Sequence, residues 1–213
     1  MIELIIFDLD GTLVDSCEDI TQALNYCFEK LGISEFSKEE VKKMVGEGVN
    51  RLIEKALQAR GVNFPSQEII KCFVNYYREH ITDFSKAYPE VKETLEELKN
   101  IKKAVISNKL TELSIKTLEN LSLLKYFDFV AGSDLFSERK PSAIPITETV
   151  KRFYTTPDKT LIVGDSELDI MAGKQAGVKT VAVTYGYRER ELLKDADFII
   201  DKFSELLKIA KAQ

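Results

Sequence analysis

Tryptophan is absent from the chain, histidine occurs once, at His80, and cysteine only three times, at Cys17, Cys27 and Cys72. The cysteines have no metal-like spacing and their odd number leaves one thiol over, so they read as buried, reduced side chains on helices. His80 is assigned no role. No apolar run approaches the ~20 residues that span a bilayer. The N-terminus runs directly into a strand containing Glu3, without a basic region, apolar segment and cleavage site. An excess of positive charge is lacking as well: the net charge is −5, which gives no electrostatic footprint for nucleic acid or an anionic membrane. A small anionic ligand remains compatible, because a local cluster of donors overrides a modest global charge. Internal repeats and low-complexity tracts are missing too. These absences predict a cytoplasmic protein, monomer or homodimer, whose partner is a small molecule and neither nucleic acid nor membrane.

What is present is a globular composition, 44% hydrophobic and 31% charged over 213 residues, enough for one core with an insertion. The organising stretch is Leu4-Ile5-Ile6-Phe7-Asp8-Leu9-Asp10-Gly11-Thr12. Four consecutive apolar residues read as a strand buried on both faces, as in a parallel sheet. Asp8 and Asp10 follow at its C-terminal end, where open α/β sheets keep their ligand crevice. One residue apart, their side chains start on the same face of an extended chain. Two adjacent carboxylates are costly to bury unless a cation or a reaction uses them.

From about Asp15 to Asp83 no strand is expected, and four helices are. Ser16-x-x-Asp19 resembles a capping box, Ser37-x-x-Glu40 a second. The first helix ends at Gly32, the next near Gly46, a third covers about Gly48 to Arg60, and Pro65-Ser66 opens a fourth. After Tyr88-Pro89 the pattern alternates. Helices are predicted over Glu90 to Asn100, Glu112 to Leu123, from the Arg139-Lys140-Pro141 loop to Tyr154, Ser166 to Ala176 and Ser204 to Ala212. Strands are predicted at 103–106, 129–131, 160–163, 180–183 and 197–200. Such alternation argues an α/β fold, a doubly wound parallel sheet. The expected division is a catalytic core over 1–14 and 85–213, with an inserted all-helical subdomain over 15–84.

Four polar clusters then fall at or after strand ends: Asp8/Asp10, Ser107, Lys140 and Asp165/Asp169. One hydroxyl, one ammonium and four carboxylates suit phosphoryl transfer, in which positioning and charge neutralisation do most of the work. Asp8 and Asp165 offer the oxygen ligands that Mg²⁺ prefers. Taken singly, Ser107 reads as a helix cap, Lys140-Pro141 as a solvated loop and Ser166-x-x-Asp169 as a capping box. Their joint occurrence favours catalysis.

The order DxDGT, Ser, Lys, GDSxxD, here Asp8-Leu9-Asp10-Gly11-Thr12, Ser107, Lys140 and Gly164-Asp165-Ser166-Glu167-Leu168-Asp169, resembles the phosphatases of the haloacid dehalogenase superfamily across essentially the whole chain. The resemblance implies a Rossmann-like core with a helical cap. It makes Asp8 the nucleophile that forms an aspartyl-phosphate and Asp10 the general acid and base. Asp8, Asp165 and the Asp10 carbonyl would ligate Mg²⁺, with Asp169 and Thr12 supporting them from behind. Ser107, Lys140 and backbone N–H groups near Leu9, Asp10 and Asn108 would bind the phosphoryl group. Two departures stand out: Ala143 where relatives often have proline, although Pro145 matches a later one, and Glu90 where glycine is usual.

The segment Val45-Gly46-Glu47-Gly48-Val49-Asn50-Arg51-Leu52 resembles the cap segment of phosphoglycolate phosphatases. The glycines would let backbone approach the substrate, and Asn50 or Arg51 could meet a carboxylate. The expected activity is hydrolysis of a small phosphorylated metabolite, phosphoglycolate first. A nucleotidase, pyrophosphatase or sugar phosphomutase would use the same motifs. A receiver-type phospho-acceptor domain is disfavoured by Asp8-x-Asp10 and by the long insertion, and a silent binding protein by the filled catalytic positions.

Overall fold

The computed structural model describes residues 1–212. The chain runs β1 (Leu4–Phe7), β2 (Val14–Asp15), α1 (Cys17–Glu29), α2 (Lys38–Met44), α3 (Val49–Ala59), α4 (Ser66–Glu79) and β3 (Lys86–Ala87). It then alternates through α5 (Val91–Glu97), β4 (Lys102–Ile106), α6 (Thr111–Asn120), β5 (Phe129–Ala131), α7 (Ile144–Arg152) and β6 (Thr160–Gly164). The last elements are α8 (Glu167–Ala176), β7 (Lys179–Val183), β8 (Phe198–Ile200) and α9 (Leu206–Ala212). No described helix is long and apolar enough to cross a membrane.

Six strands form one parallel sheet in the order β5-β4-β1-β6-β7-β8. The fold is α/β and doubly wound. The unbroken apolar run of β1 is explained by its position. Ile5 and Phe7 pack on one face with Val91, Leu95 and Phe203, while Leu4 and Ile6 pack on the other with Ile146, Val150 and Ala172. A central strand covered on both faces has no polar side to show. From β1 the chain winds out to β4 and β5, then returns to β6 on the opposite side. The C-terminal end of β1 is therefore the switch point where such sheets open a crevice.

Between β2 and β3 lie α1 to α4, whose apolar faces meet in a separate core including Leu24, Phe28, Ile53 and Tyr77. Leu113 of α6 joins that core, so the helical block rests on the C-terminal end of β4. Both passages of the chain between the two halves run through a ribbon not expected from the sequence. In it Val14 pairs antiparallel with Ala87 and Asp15 with Lys86. Two-residue strands carry no periodic signal, which is why pattern reading passes over them.

Other expectations need correction. Ser16 and Asp19 do not form a capping box: the Ser16 hydroxyl donates to Asp10, and the Asp19 carboxylate accepts from Phe84 and Ser85. Each side chain has found a longer-range partner than the helix end. The box at Ser37 and Glu40 does form. The helix expected from Glu90 starts at Val91, because Glu90 takes a left-handed conformation at φ +66°. The final helix opens with a 3-10 turn at Phe203–Glu205. Cys17 and Cys27 are buried free thiols, but Cys72 is only half-buried.

Candidate active site

The Asp8 N–H extends the sheet by donating to the Val163 carbonyl (2.9 Å), after which the chain folds back on itself. The Leu9 carbonyl accepts from both the Leu13 and the Val14 N–H groups (3.0 Å each). Gly11, at φ +87°, lets this loop lie against the Asp165 carboxylate, where any Cβ would collide with it. The loop thus delivers Asp8 and Asp10 to the crevice at fixed positions, with the end of β6 alongside.

Lys140, buried in the loop before α7, places its ammonium 2.8 Å from Asp8 and 2.6 Å from Asp169. The same Asp169 carboxylate accepts from the Ser166 hydroxyl (2.6 Å) and N–H (3.2 Å). Capping and lysine-holding are therefore combined in one residue. Asp165 accepts from the Tyr187 N–H (2.7 Å) and from the Thr12 hydroxyl (3.4 Å). Ligand oxygens of Asp8, Asp165 and Asp169 all lie within 4.8 Å of one another.

The electrostatics follow from burial and the crowding of like charges. Burial pushes the Asp165 carboxyl up to about 8, and the charges of Asp8 and Asp169 add to the effect. Burial also raises Asp8, against the opposing pull of Lys140. Burial disfavours the Lys140 ammonium, but Asp169 and Asp8 outweigh it and hold the group above the ordinary lysine range. Three carboxylates facing one ammonium leave the cluster short of positive charge. An all-oxygen donor set in that condition fits a hard divalent cation. Asp169 is committed to Lys140 and Ser166, so Asp8 and Asp165 are the better-placed ligands.

Asp10 has different surroundings. One carboxylate oxygen accepts from the Ser16 hydroxyl (2.5 Å) and from the Lys109 ammonium (2.6 Å). Lys109 also donates to the Tyr77 hydroxyl on α4 (2.9 Å). Burial works against its charge, but Asp10 and Tyr77 raise it above the usual lysine range. Sequence reasoning passed over Lys109, although it directly follows Ser107 and Asn108 at the end of β4. Ser107 lines the cavity and its hydroxyl accepts from the Lys109 N–H (3.2 Å). The Asn108 amide spans two elements, donating to the Gly46 and the Lys140 carbonyls (2.9 Å each).

The sequence also gave no hint of Tyr187 and Arg188 in the loop after β7. The Tyr187 hydroxyl accepts from the Ser16 N–H (2.8 Å). Arg188 donates to the carbonyls of Lys42 (3.1 Å) and Val45 (2.5 Å), binding the turn after α2 to the sheet half. Between the halves lies a cavity of about 70 Å³ reached by Asp8, Asp10, Ser107, Asn108, Lys109 and Tyr77. Gly46 and Gly48 line it, whereas Asn50 and Arg51 do not. Both are exposed, and Arg51 pairs with Glu54 (2.5 Å) and Glu47 (3.7 Å). At one departure, Ala143 precedes α7 at φ −69°, a value proline would also adopt, and Pro145 sits in the first turn.

The sequence profile of the haloacid dehalogenase-like hydrolases matches residues 5–183. The chain belongs to this family. Among haloacid dehalogenase-like relatives, the phosphoglycolate phosphatase of Aquifex aeolicus (strain VF5) is 42% identical over 208 residues, covering 97% of this chain and 95% of its own. The phosphoglycolate phosphatase of Vibrio parahaemolyticus serotype O3:K6 is 36% identical over 218 residues, covering 98% and 96%. Among solved structures, a predicted phosphoglycolate phosphatase from Haemophilus somnus 129pt superposes with a TM-score of 0.91 at 32% identity, covering 98% of this chain and 97% of its own. The chain is accordingly a hydrolase, a phosphatase of the haloacid dehalogenase-like family.

Proposed function

We propose that the phosphatase hydrolyses a small phosphorylated metabolite, phosphoglycolate before others, through an aspartyl-phosphate on Asp8. The observation that carries this reading is the pairing of Asp8 with Lys140 at 2.8 Å while neighbouring Asp10 is held by different partners. Two carboxylates one residue apart are thereby given separate environments, as nucleophile and acid–base group require. The relatives named phosphoglycolate phosphatase support the substrate. So does the small size of the cavity, about 70 Å³.

In the first half-reaction an Asp8 oxygen attacks phosphorus and the ester P–O bond breaks. Asp10 gives a proton to the leaving alkoxide oxygen. In the second, Asp10 takes a proton from water as its oxygen attacks phosphorus, and the P–O bond to Asp8 breaks. Lys140, Ser107 and the N–H groups of Leu9, Asp10 and Asn108 hold the phosphoryl oxygens throughout. Mg²⁺, bound by Asp8, Asp165 and the Asp10 carbonyl, would supply charge neutralisation to the phosphoryl group. Thr12 and Asp169 keep Asp165 and Lys140 in place. Residues 15–84 act as a cap over the core of 1–14 and 85–213, excluding water from the crevice.

The test is phosphate release from phosphoglycolate, nucleoside monophosphates, sugar phosphates and pyrophosphate, with Mg²⁺ or chelator. Asp8→Asn is expected to lower the rate by at least roughly a thousandfold, about 4 kcal/mol of barrier. Preference for another ester would retain the mechanism and reject the substrate. Phosphate release that Asp8→Asn leaves intact would reject the mechanism.

A further inference from the structure

The cavity has one basic side chain among the described residues that line it, Lys109. The remainder of its upper wall is apolar, with Ile20, Val49, Leu52 and Phe73 from the helical half. Lys109 is itself well buried, with its side chain only 6% exposed. An ammonium carries three N–H donors. Two of these are used, on Asp10 (2.6 Å) and on Tyr77 (2.9 Å). The third has no acceptor among the described residues, at a depth where donors are almost always paired.

We infer that Lys109 is the specificity-determining residue for the far end of the substrate, binding a carboxylate with its remaining N–H. The inference rests on the phosphatase reading above and deepens it: the preferred substrate is a short phosphate ester that carries a carboxylate. Three arguments converge on it. An anion entering this cavity meets apolar side chains from the helical half and the carboxylates of Asp8 and Asp10, and is strongly disfavoured unless a fixed cation meets it; among the described lining residues Lys109 is that cation. Arg51, the basic residue of the Val45–Leu52 segment, is turned to Glu47 and Glu54 and does not reach the cavity. Lys109 also lies two residues beyond Ser107, in the bend that joins the end of β4 to α6. There its carbonyl accepts from the Ser133 N–H (2.9 Å), which ties its backbone to the sheet half.

Tyr77 gives the arrangement its second support. Its hydroxyl comes from α4, and it fixes the direction of the ammonium from the opposite side of the crevice. A carboxylate docked on Lys109 would therefore complete a bridge between the two halves. A neutral ester would leave the third N–H unsatisfied.

The experiment compares phosphoglycolate with its carboxamide, in which the anion alone is lost, using the full-length protein. The wild type is expected to favour the acid by about tenfold to a hundredfold in kcat/KM, the worth of a charged hydrogen bond. Lys109→Met should reduce that ratio to within about threefold, and Lys109→Arg should restore part of it. Because Lys109 also touches Asp10, binding of both compounds to Asp8→Asn protein is measured by calorimetry, with and without Lys109→Met, where turnover plays no part. Discrimination lost with Lys109 supports the inference. Discrimination that survives Lys109→Met, or a wild type that does not distinguish acid from amide, overturns it. A wild type that binds the acid selectively but hydrolyses neither compound would reject the phosphatase mechanism and keep Lys109 as the carboxylate site.

Discussion

Asp19 accepts hydrogen bonds from the N–H groups of Phe84 (3.0 Å) and Ser85 (2.8 Å), joining the start of the helical block to the segment that leaves it. The Ser85 hydroxyl donates to the same carboxylate. This buried clasp holds both linker strands together at the point where the two halves meet. Asp19→Ala strands the two backbone donors, while the Ser85 hydroxyl keeps the Ile81 carbonyl (3.3 Å), and is expected to destabilise the protein by about 2–4 kcal/mol in urea unfolding. Asp19→Asn keeps acceptor capacity and should lose less. Equal stability of wild type and Asp19→Ala would show the clasp to be energetically idle.

Lys140 sits buried between two carboxylates. Removing it as Lys140→Met leaves Asp8 and Asp169 buried without their cation, a loss of about 3–5 kcal/mol. The double variant Lys140→Met/Asp169→Asn should recover part of that loss, because one uncompensated charge is gone. Thermal unfolding of the three proteins in chelator checks the order. Activity should be lost in both variants.

The raised carboxyls make a pH prediction with a definite sign. Folded-state values above the unfolded ones mean that the native state holds protons more tightly. The stabilisation is complete below the ordinary carboxylate value of 3.8 and is lost as pH rises through about 8, the position of Asp165. Metal-free protein should therefore become less stable from pH 5 toward pH 8. Mg²⁺ takes the place of those protons, so its thermal shift should grow over the same interval. A Mg²⁺ shift of constant size from pH 5 to pH 8 would contradict this.

Arg188 anchors the turn after α2 through the carbonyls of Lys42 and Val45. With Arg188→Ala those carbonyls turn to solvent and the helical half is less firmly held. Hydrogen exchange should quicken in residues 42–48 by about tenfold or more, and remain unchanged in the central strands. Protection that is unaltered in 42–48 would remove Arg188 from this role.

Glu90 occupies a left-handed position, at φ +66°, that glycine adopts without strain. Its carboxylate, held below the usual range by a hydrogen bond from Ser204, offsets part of that cost. Glu90→Gly is expected to raise stability by about 0.5–1 kcal/mol, the hydrogen bond being exposed and the strain local. A lower midpoint in urea would mean that the Ser204 contact outweighs the backbone.

The parallel sheet was legible because β1 has no polar face, and the acidic ends of β1 and β6 were legible because two aspartates in each motif follow an apolar run. Lys140 and Ser107 were found from order and strand position. Lys109, Tyr187 and Arg188 were not, since each acts through contacts distant in sequence and no local period marks it. Tyr77 lies on the inward face of α4, and its hydroxyl partner depends on how α4 lies over the end of β4. Ser16 and Asp19 misled because a capping signature describes what a pair can do locally, and stronger partners arrive only with the tertiary fold.

Asp15 and Lys86 face each other across the antiparallel ribbon, so the point where the chain departs for the helical block and the point where it returns are adjacent. The block is a graft on a single stem. Residues 16–85 could be cut away and the stem closed by a tight turn without drawing the sheet out of shape, because no strand of the sheet passes through them. A shortened enzyme of this kind would keep Asp8, Lys140 and Asp165 on an open crevice. It would open the crevice to phosphate groups carried on surfaces far too large for the present cavity.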